Sequence, residues 1–513
     1  MPTPGKKPKG CDNDGHHNHS ADIIRRYDTH HEGALTVTPE HQPQNQMINS
    51  AKQALQGLVA SSFIMAAIGA LITGFSFFPG YLSFDSAYQY WMARTSHFDG
   101  VSPTLYLLLF SLSESIFKSS YGMFLLNIMI YWTGLLIFSY VLKTAGFKKI
   151  FLVTLAGIWL PTFTLLGHIW TDTTLLAALT LASALLGLIV ITRKRRYFFS
   201  MVILLVVAGS IRHNALLAVL PLFWLAWRST FQATNRSHAV LATLVFVFSV
   251  VALGQMLDRI FVKTTRAVWP TIALWDLAGI SVRVDELLLP EFAYQPGLTV
   301  QELRETNAYT PYSNTPLYTL PHHWVRDGLG GKPYSRDEQI ALASVWANSI
   351  LAHPSAYLEH RATLALGLFG RHNFELGGGL VYAFHIVSFK DNPPIIANDS
   401  SLTKQVEKRI MRLRKSWIFS PLPYILICLG AILISRRFAS HPLARASIAI
   451  AASALFYVAP LAIIAPSAEL RYCGWLFPAA FLSLLFAWTA RKSEIISPSV
   501  VSGNFAPAVE STT

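Results

Sequence analysis

The sequence predicts an all-α, polytopic membrane protein of about ten spans, and three observations predict it. Of its 513 residues 52% are hydrophobic and only 13% charged, about half the ~25% charge content of soluble domains. Apolar runs of about twenty residues, the length a bilayer requires, recur between positions 57 and 490. The net charge of +13 is gathered in alternate loops, as in the cytoplasmic loops of membrane proteins. The basic balance therefore implies a lipid bilayer as partner and no nucleic acid. Cys11, Cys428 and Cys473 are scattered with no CxxC, so neither a disulfide framework nor a cysteine-metal site is expected.

Residues 1–56 lack apolar periodicity and read as a disordered cytoplasmic tail. His16, His17, His19, His30 and His31 offer weak metal ligands there, although a solvated tail is the simpler reading. No cleavable signal is expected, because the first apolar run follows this tail and reads as a retained anchor. Residues 57–257 form an N-terminal transmembrane module. Its first span, 57–79, is closed by Pro79 and Gly80. The first outer loop, 81–120, contains an apolar run over 105–117 that Ser111, Ser113 and Glu114 interrupt. It is short for a span, so 86–95 and 103–117 read as two helices lying on the membrane surface. Spans follow at 121–142, 150–168, 173–192, 198–211, 214–228 and 238–257. C-terminal spans at 417–435, 446–465 and 474–490 lead into a second tail, 491–513.

The loops at 143–149, 193–197, 228–238 and 436–445 carry twelve lysines and arginines, whereas the tight turns at 169–172, 211–213 and 466–473 carry two, Arg212 and Arg471. Basic loops stay inside, so both termini are placed in the cytoplasm. Residues 258–416 then form one large extracytoplasmic loop region, too long for a simple connection and expected to fold over the membrane domain. Within it Asp337 to Leu368 has helical periodicity through Ile340, Val345, Trp346 and Ile350, which Pro354 kinks or restarts. No internal repeat is visible.

In this topology four polar features share the outer face: Asp85 in the first loop, His168 to Asp172, Arg212-His213-Asn214, and Glu469-Leu470-Arg471-Tyr472. Ionisable groups at membrane depth are costly and usually functional. A guanidinium at an outer interface matches a phosphate with two parallel hydrogen bonds. The competing reading makes Arg212 a packing partner of Asp172 and Arg471 one of Glu469. Asp85 has the character of a general base for transfer to a hydroxyl, and a phosphate leaving group needs charge neutralisation by arginine or a divalent cation. Asp85 with Asp172 or Glu469 can also be read as ligands of a divalent metal ion. Both aspartates have a plainer reading as helix N-caps. HExxH, P-loop and GxSxG motifs are absent.

The run Phe84-Asp85-Ser86-Ala87-x-Gln89-Tyr90, then Pro103-Thr104-Leu105-Tyr106, with the Arg-x-Asn turn and the late Glu-x-Arg-Tyr, resembles the GT-C superfamily of polyprenyl-phosphate-sugar-dependent glycosyltransferases. Within it the chain is most similar to bacterial proteins related to the protein O-mannosyltransferase and aminoarabinose transferase group. Asp276 to Ser281 and Trp346 through His353-Pro354-x-x-Tyr357-Leu358-x-x-Arg361 look like an uncharacterised subset of these. The resemblance implies a GT-C-like fold in a bacterial inner membrane. It implies inverting transfer from a polyprenyl-phosphate sugar donor to a lipid-linked, glycan or protein acceptor at the periplasmic face. Asp85 would be the base, Arg212 and Arg471 would hold the donor phosphate, and Asp172, Asn214, Glu469, Tyr472 and Gln89 would contact substrate or support those that do. Relatives often carry His-Pro-Pro where this chain has Ser102-Pro103-Thr104, so no histidine role carries over, and His97 reads as an exposed loop residue. His353 and Arg361 are expected either above the site or in ordinary surface packing. The rival readings are an envelope glycolipid transporter or flippase, an O-antigen ligase or polymerase, and an outer loop that binds a partner protein.

Overall fold

The computed structural model describes residues 42–232, 235–306, 308–319, 323–326, 332–370 and 384–496. The histidines and Cys11 of the N-terminal tail lie outside them. Contacts divide the chain into a unit ending at Ala54 and a second, beginning at Leu55, that holds the helical bundle.

The first half of the chain contributes α1 (Gln42–Phe77), α2 (Phe84–Thr95), α3 (Thr104–Phe117), α4 (Tyr121–Thr144), α5 (Phe151–Gly157), α6 (Leu160–Leu166), α7 (Thr171–Thr192), α8 (Arg195–Ile211), α9 (Ala215–Phe231) and α10 (Arg236–Phe261). Then come α11 (Trp269–Val284), α12 (Val300–Glu305), α13 (Arg336–Ala352), α14 (Pro354–Phe369) and α15 (Ser401–Leu413). The chain ends with α16 (Leu422–Arg436), α17 (Pro442–Val458), α18 (Leu461–Ile464) and α19 (Leu476–Ile496). The fold is all-helical, with isolated bridges and no strand among the described residues. Among those residues six segments are long and apolar enough to cross a membrane: Ala60–Phe77, Tyr121–Thr144, Thr171–Thr192, Arg236–Phe261, Pro442–Ile464 and Leu470–Ser493. Thr104–Phe117, Ala215–Phe231 and Leu422–Arg436 are shorter apolar helices. This is the architecture of a helical membrane protein. The stretch expected as one span over 150–168 is instead two seven-residue helices, α5 and α6, with Ile158 and Trp159 between them and Pro161 in the first turn of the second. Proline is well placed there because a first-turn N–H has no intrahelical acceptor.

Burial sorts the helices. Of the 18-residue apolar stretch within Thr171–Thr192, 89% is buried, against 17% of the corresponding stretch within Arg236–Phe261. α7 is thus the axis of the bundle, packed on α4, α8, α9 and α17, while α10 turns Leu241, Leu244 and Phe248 outward, as a lipid-facing rim does. Small residues bring the axis close to its neighbours, as is usual where helices pack in membranes. A Cβ on Gly134 of α4 would stand 2.9 Å from the Leu181 backbone of α7. Buried threonines of α7 return their hydroxyls to the backbone, Thr180 to Leu176 at 2.8 Å and Thr173 to Leu165 at 2.9 Å.

A second layer is made by α11, α12, α13 and α14, which pack on one another and meet the bundle through α14 against α18. α13 is closed at its start by a reciprocal capping box between Ser335 and Glu338. Glu338 also pairs with Arg326 at 2.8 Å. Together the Arg326 bonds and the Ser335 backbone bond hold the Glu338 carboxyl pKa down at about 2.

Candidate functional site

The site begins with three short extended pieces laid side by side at one end of the bundle. The Tyr81 N–H donates to Gly167 O at 2.8 Å and Tyr81 O accepts from the Ile169 N–H at 3.0 Å. Leu82 O accepts from the Val387 N–H at 2.9 Å. These bonds bring the start of α2, with Asp85 in its first turn, beside the start of α7, with Asp172 in its first turn. Neither aspartate is an N-cap. Ser83 and Trp170 hold those positions, and a hydrogen bond of 2.9 Å from Trp170 Nε1 to Ser83 Oγ joins them. First-turn carboxylates at both helices are favoured by the helix dipole.

Arg471 reaches this junction from the short turn of 3₁₀ helix at Leu470–Cys473. Its Nη1 lies 2.8 Å from Asp85 Oδ2 and its Nε 2.5 Å from Glu469 Oε2. Its guanidinium carbon sits 5.1 Å from the Trp170 ring centroid and 5.3 Å from that of Tyr472, within the range of cation–π attraction. Arg212, at the end of α8, bonds to Asp172, and its guanidinium carbon lies 4.9 Å from the same Tyr472 centroid. Ser467 Oγ donates to Glu469 Oε1 at 3.0 Å. The result is a row of charges, Asp172, Arg212, Arg471 and Asp85, in which two neighbouring arginines share the Tyr472 ring and an aspartate pairs with each from the outside. Asp172 is almost wholly buried, but the Asp85 side chain is 53% exposed, so the row opens at Asp85.

Asp85, Asp172, Arg212, Glu469, Arg471 and Tyr472, expected together, are together. Both ion pairs of the plainer reading are present too, Arg212 with Asp172 and Arg471 with Glu469. Gln89 and Asn214 turn elsewhere: Gln89 Nε2 donates to Ser102 Oγ at 3.2 Å, and Asn214 Nδ2 to Tyr457 O at 3.1 Å. Asp85 and Glu469 face one guanidinium and Asp172 faces another, and among the described residues no three His, Cys, Asp or Glu side chains converge. Cys428 and Cys473 are free and buried. His97 is exposed and packs on Trp91.

Arg361, expected above the site or in surface packing, is not on the surface. It is buried with Asp276 and His360. Arg361 Nη2 donates to Asp276 Oδ2 at 2.7 Å, Trp346 Nε1 donates to the same oxygen at 3.1 Å, and His360 Nε2 stands 3.2 Å from Asp276 Oδ1. Tyr309 OH bonds to His360 Nδ1 at 2.8 Å. Gly279 makes room, since a Cβ there would meet the imidazole at 2.7 Å. Burial holds the His360 pKa below its ordinary value, although Asp276 works against that. The cluster also reaches the site's supporting backbone, because Arg361 Nη1 donates to Ala465 O at 3.0 Å. In the same turn Pro466 O accepts from the Asn314 N–H at 3.2 Å, and the Ala468 N–H donates to Tyr312 O at 2.7 Å. Asp276, Trp346 and Arg361, to which the resemblance attaches no role, thus fix the stretch of backbone that carries Glu469 and Arg471. Ser83 and Ser467 carry no sequence signal of their own; Trp170 falls within the stretch from His168 to Asp172, and His360 is marked only by its adjacency to Arg361.

No family model, curated protein or solved structure matches the chain.

Proposed function

We propose that this protein is a GT-C-type membrane glycosyltransferase that moves a sugar from a polyprenyl-phosphate donor to a hydroxyl of an envelope acceptor, lipid, glycan or protein. In this reading the bundle has ten spans in a bacterial inner membrane, both termini are cytoplasmic, and the Asp85 end faces the periplasm. The observation that carries the proposal is the placement of Asp85: a half-exposed carboxylate, fixed at 2.8 Å by Arg471, at the open end of a row holding a second arginine.

The chemistry follows from those groups. Asp85 takes the proton of the acceptor hydroxyl as its oxygen attacks the anomeric carbon from the face opposite the phosphate. The bond from that carbon to the phosphate oxygen breaks, and the lipid phosphate departs with the electron pair. Arg471 turns from Asp85 toward the leaving phosphate and neutralises it, a fork that a single point charge does not replace. Arg212, held by Asp172, adds positive potential beside it. Configuration at the anomeric carbon is inverted.

The test is transfer by purified protein in lipid with radiolabelled polyprenyl-phosphate sugars, wild type beside Asp85→Asn. Labelled product or released polyprenyl phosphate in the wild type only, with donor binding kept in the variant, is the expected result. Turnover that survives in the variant removes Asp85 from the chemistry. Donor translocation in sealed vesicles without any transfer would favour a flippase instead.

A further inference from the structure

Beside the site an apolar groove of about 480 Å³ runs between the last turns of α1, the broken pair α5–α6 and α15. Leu71 and Phe75 form one wall, Leu160 and Phe163 another, and Leu402 and Val406 of α15 close its end. The volume lies within the ~300–1,000 Å³ of ligand clefts. The groove opens sideways, with Leu71 and Phe75 more than half exposed on the lipid-facing side of a candidate span.

At its closed end Asp399 and Lys404 pair with each other at 2.9 Å, and the exposed charge further along α15 is basic. α15 reads Ser-Leu-Thr-Lys-Gln-Val-Glu-Lys-Arg-Ile-Met-Arg-Leu. At 3.6 residues per turn Leu402, Val406, Ile410 and Leu413 share one face, and Arg409 falls about 20° from Leu402 at the groove's edge. Lys408, Arg409 and Arg412 are exposed and make no ion pair among the described residues. The helix's one acid, Glu407, is turned away from them and accepts a bond from Tyr81 OH. Burial and this carboxylate push the Tyr81 phenol above its ordinary range. An apolar trough with a basic rim has the two-part chemistry of a lipid with an anionic head.

We infer that the groove and the basic face of α15 bind one anionic phospholipid of the surrounding bilayer, a chain along Leu71, Phe75 and Phe163 and the phosphate against Lys408, Arg409 and Arg412. The lipid fastens α15 over Tyr81, and through the Tyr81–Gly167 and Tyr81–Ile169 backbone bonds it steadies the start of α2. The inference does not depend on the glycosyltransferase reading.

The experiment is native mass spectrometry of the full-length protein, delipidated and then offered phosphatidylglycerol, phosphatidylcholine and a polyprenyl phosphate together. The wild type is expected to keep phosphatidylglycerol several-fold over phosphatidylcholine. The triple variant K408Q/R409Q/R412Q should lose that preference without losing thermal stability in detergent, since all three side chains are exposed. Val406→Phe, which fills the groove, should lower retention of both lipids. No preference in the wild type, or an undiminished preference in the triple variant, overturns the inference. So does retention of a polyprenyl phosphate in place of phosphatidylglycerol, which would assign the groove to a different lipid.

Discussion

Arg471 is asked to do two things with one guanidinium, and lysine can do only one of them. The arginine spans Asp85 and Glu469 at 2.8 and 2.5 Å, whereas an ammonium offers a point charge. If the proposed transfer is correct, Arg471→Lys should lower turnover by about 10²-fold or more while the protein keeps its thermal midpoint; unchanged turnover would remove Arg471 from the donor site. His360 bears on stability instead. Its neighbours are Asp276 and Arg283 from α11, Tyr309 from the loop, and Glu359 and Arg361 from its own helix. With its folded pKa depressed, the stability linked to His360 is whole above the unfolded value of about 6.5. It is lost as the pH falls through that value, because the unfolded chain takes a proton that the buried ring refuses. Thermal unfolding in detergent should therefore shift to lower temperature on acidification, less steeply in His360→Gln; identical slopes would refute the assignment. At this scale Asp85, Arg471 and Glu469 were legible because charge at an otherwise apolar turn stands out. His360 and Asp276 were not, because their burial is set by partners far apart in sequence.

Among the elements, the short turn between α18 and α19 depends most on its surroundings. Arg361 and Asp276 form a buried pair, and losing one member leaves the other charged and unpaired. Arg361→Ala should cost about 3–5 kcal/mol, read as a lowered unfolding midpoint of the purified protein, with Arg361→Lys recovering part of it. A loss no larger than that of an exposed arginine would show the pair to be incidental. The α4–α7 seam gives a cleaner test of packing. Gly134→Val places side-chain atoms against the Leu181 backbone and should cost about 1–3 kcal/mol; an unchanged midpoint would mean that the helices separate freely there. Helices near 84–95, 104–117 and 336–369 were readable from apolar spacing and from Pro354. The break at Ile158 and Trp159 was not, because an apolar run looks the same whether one helix or two short ones cross it, and only Pro161 marked the restart.

For the whole molecule, membrane character was legible in composition, since α1 and α10 must face something that is not water. Which end faces out is a separate matter, decided in sequence only by the lopsided placement of lysine and arginine. With Cys11 replaced by serine, Ser96→Cys should react with an impermeant thiol reagent added outside cells, and Lys194→Cys should not; both positions are exposed, so the reverse pattern would invert the proposed orientation. The backbone of 465–468, lying within a largely helical core, has a consequence for manufacture of the protein. Its polar groups are met by Tyr312, Asn314 and Arg361, all of which precede it in the chain. A ribosome therefore delivers those partners first, and the final hairpin of α17 and α19 arrives to find its acceptors and donors waiting. Cut from the rest, that hairpin would lose the partners that hold its connecting turn in shape, so the last helices are a closing piece whose turn is set by chain made before it.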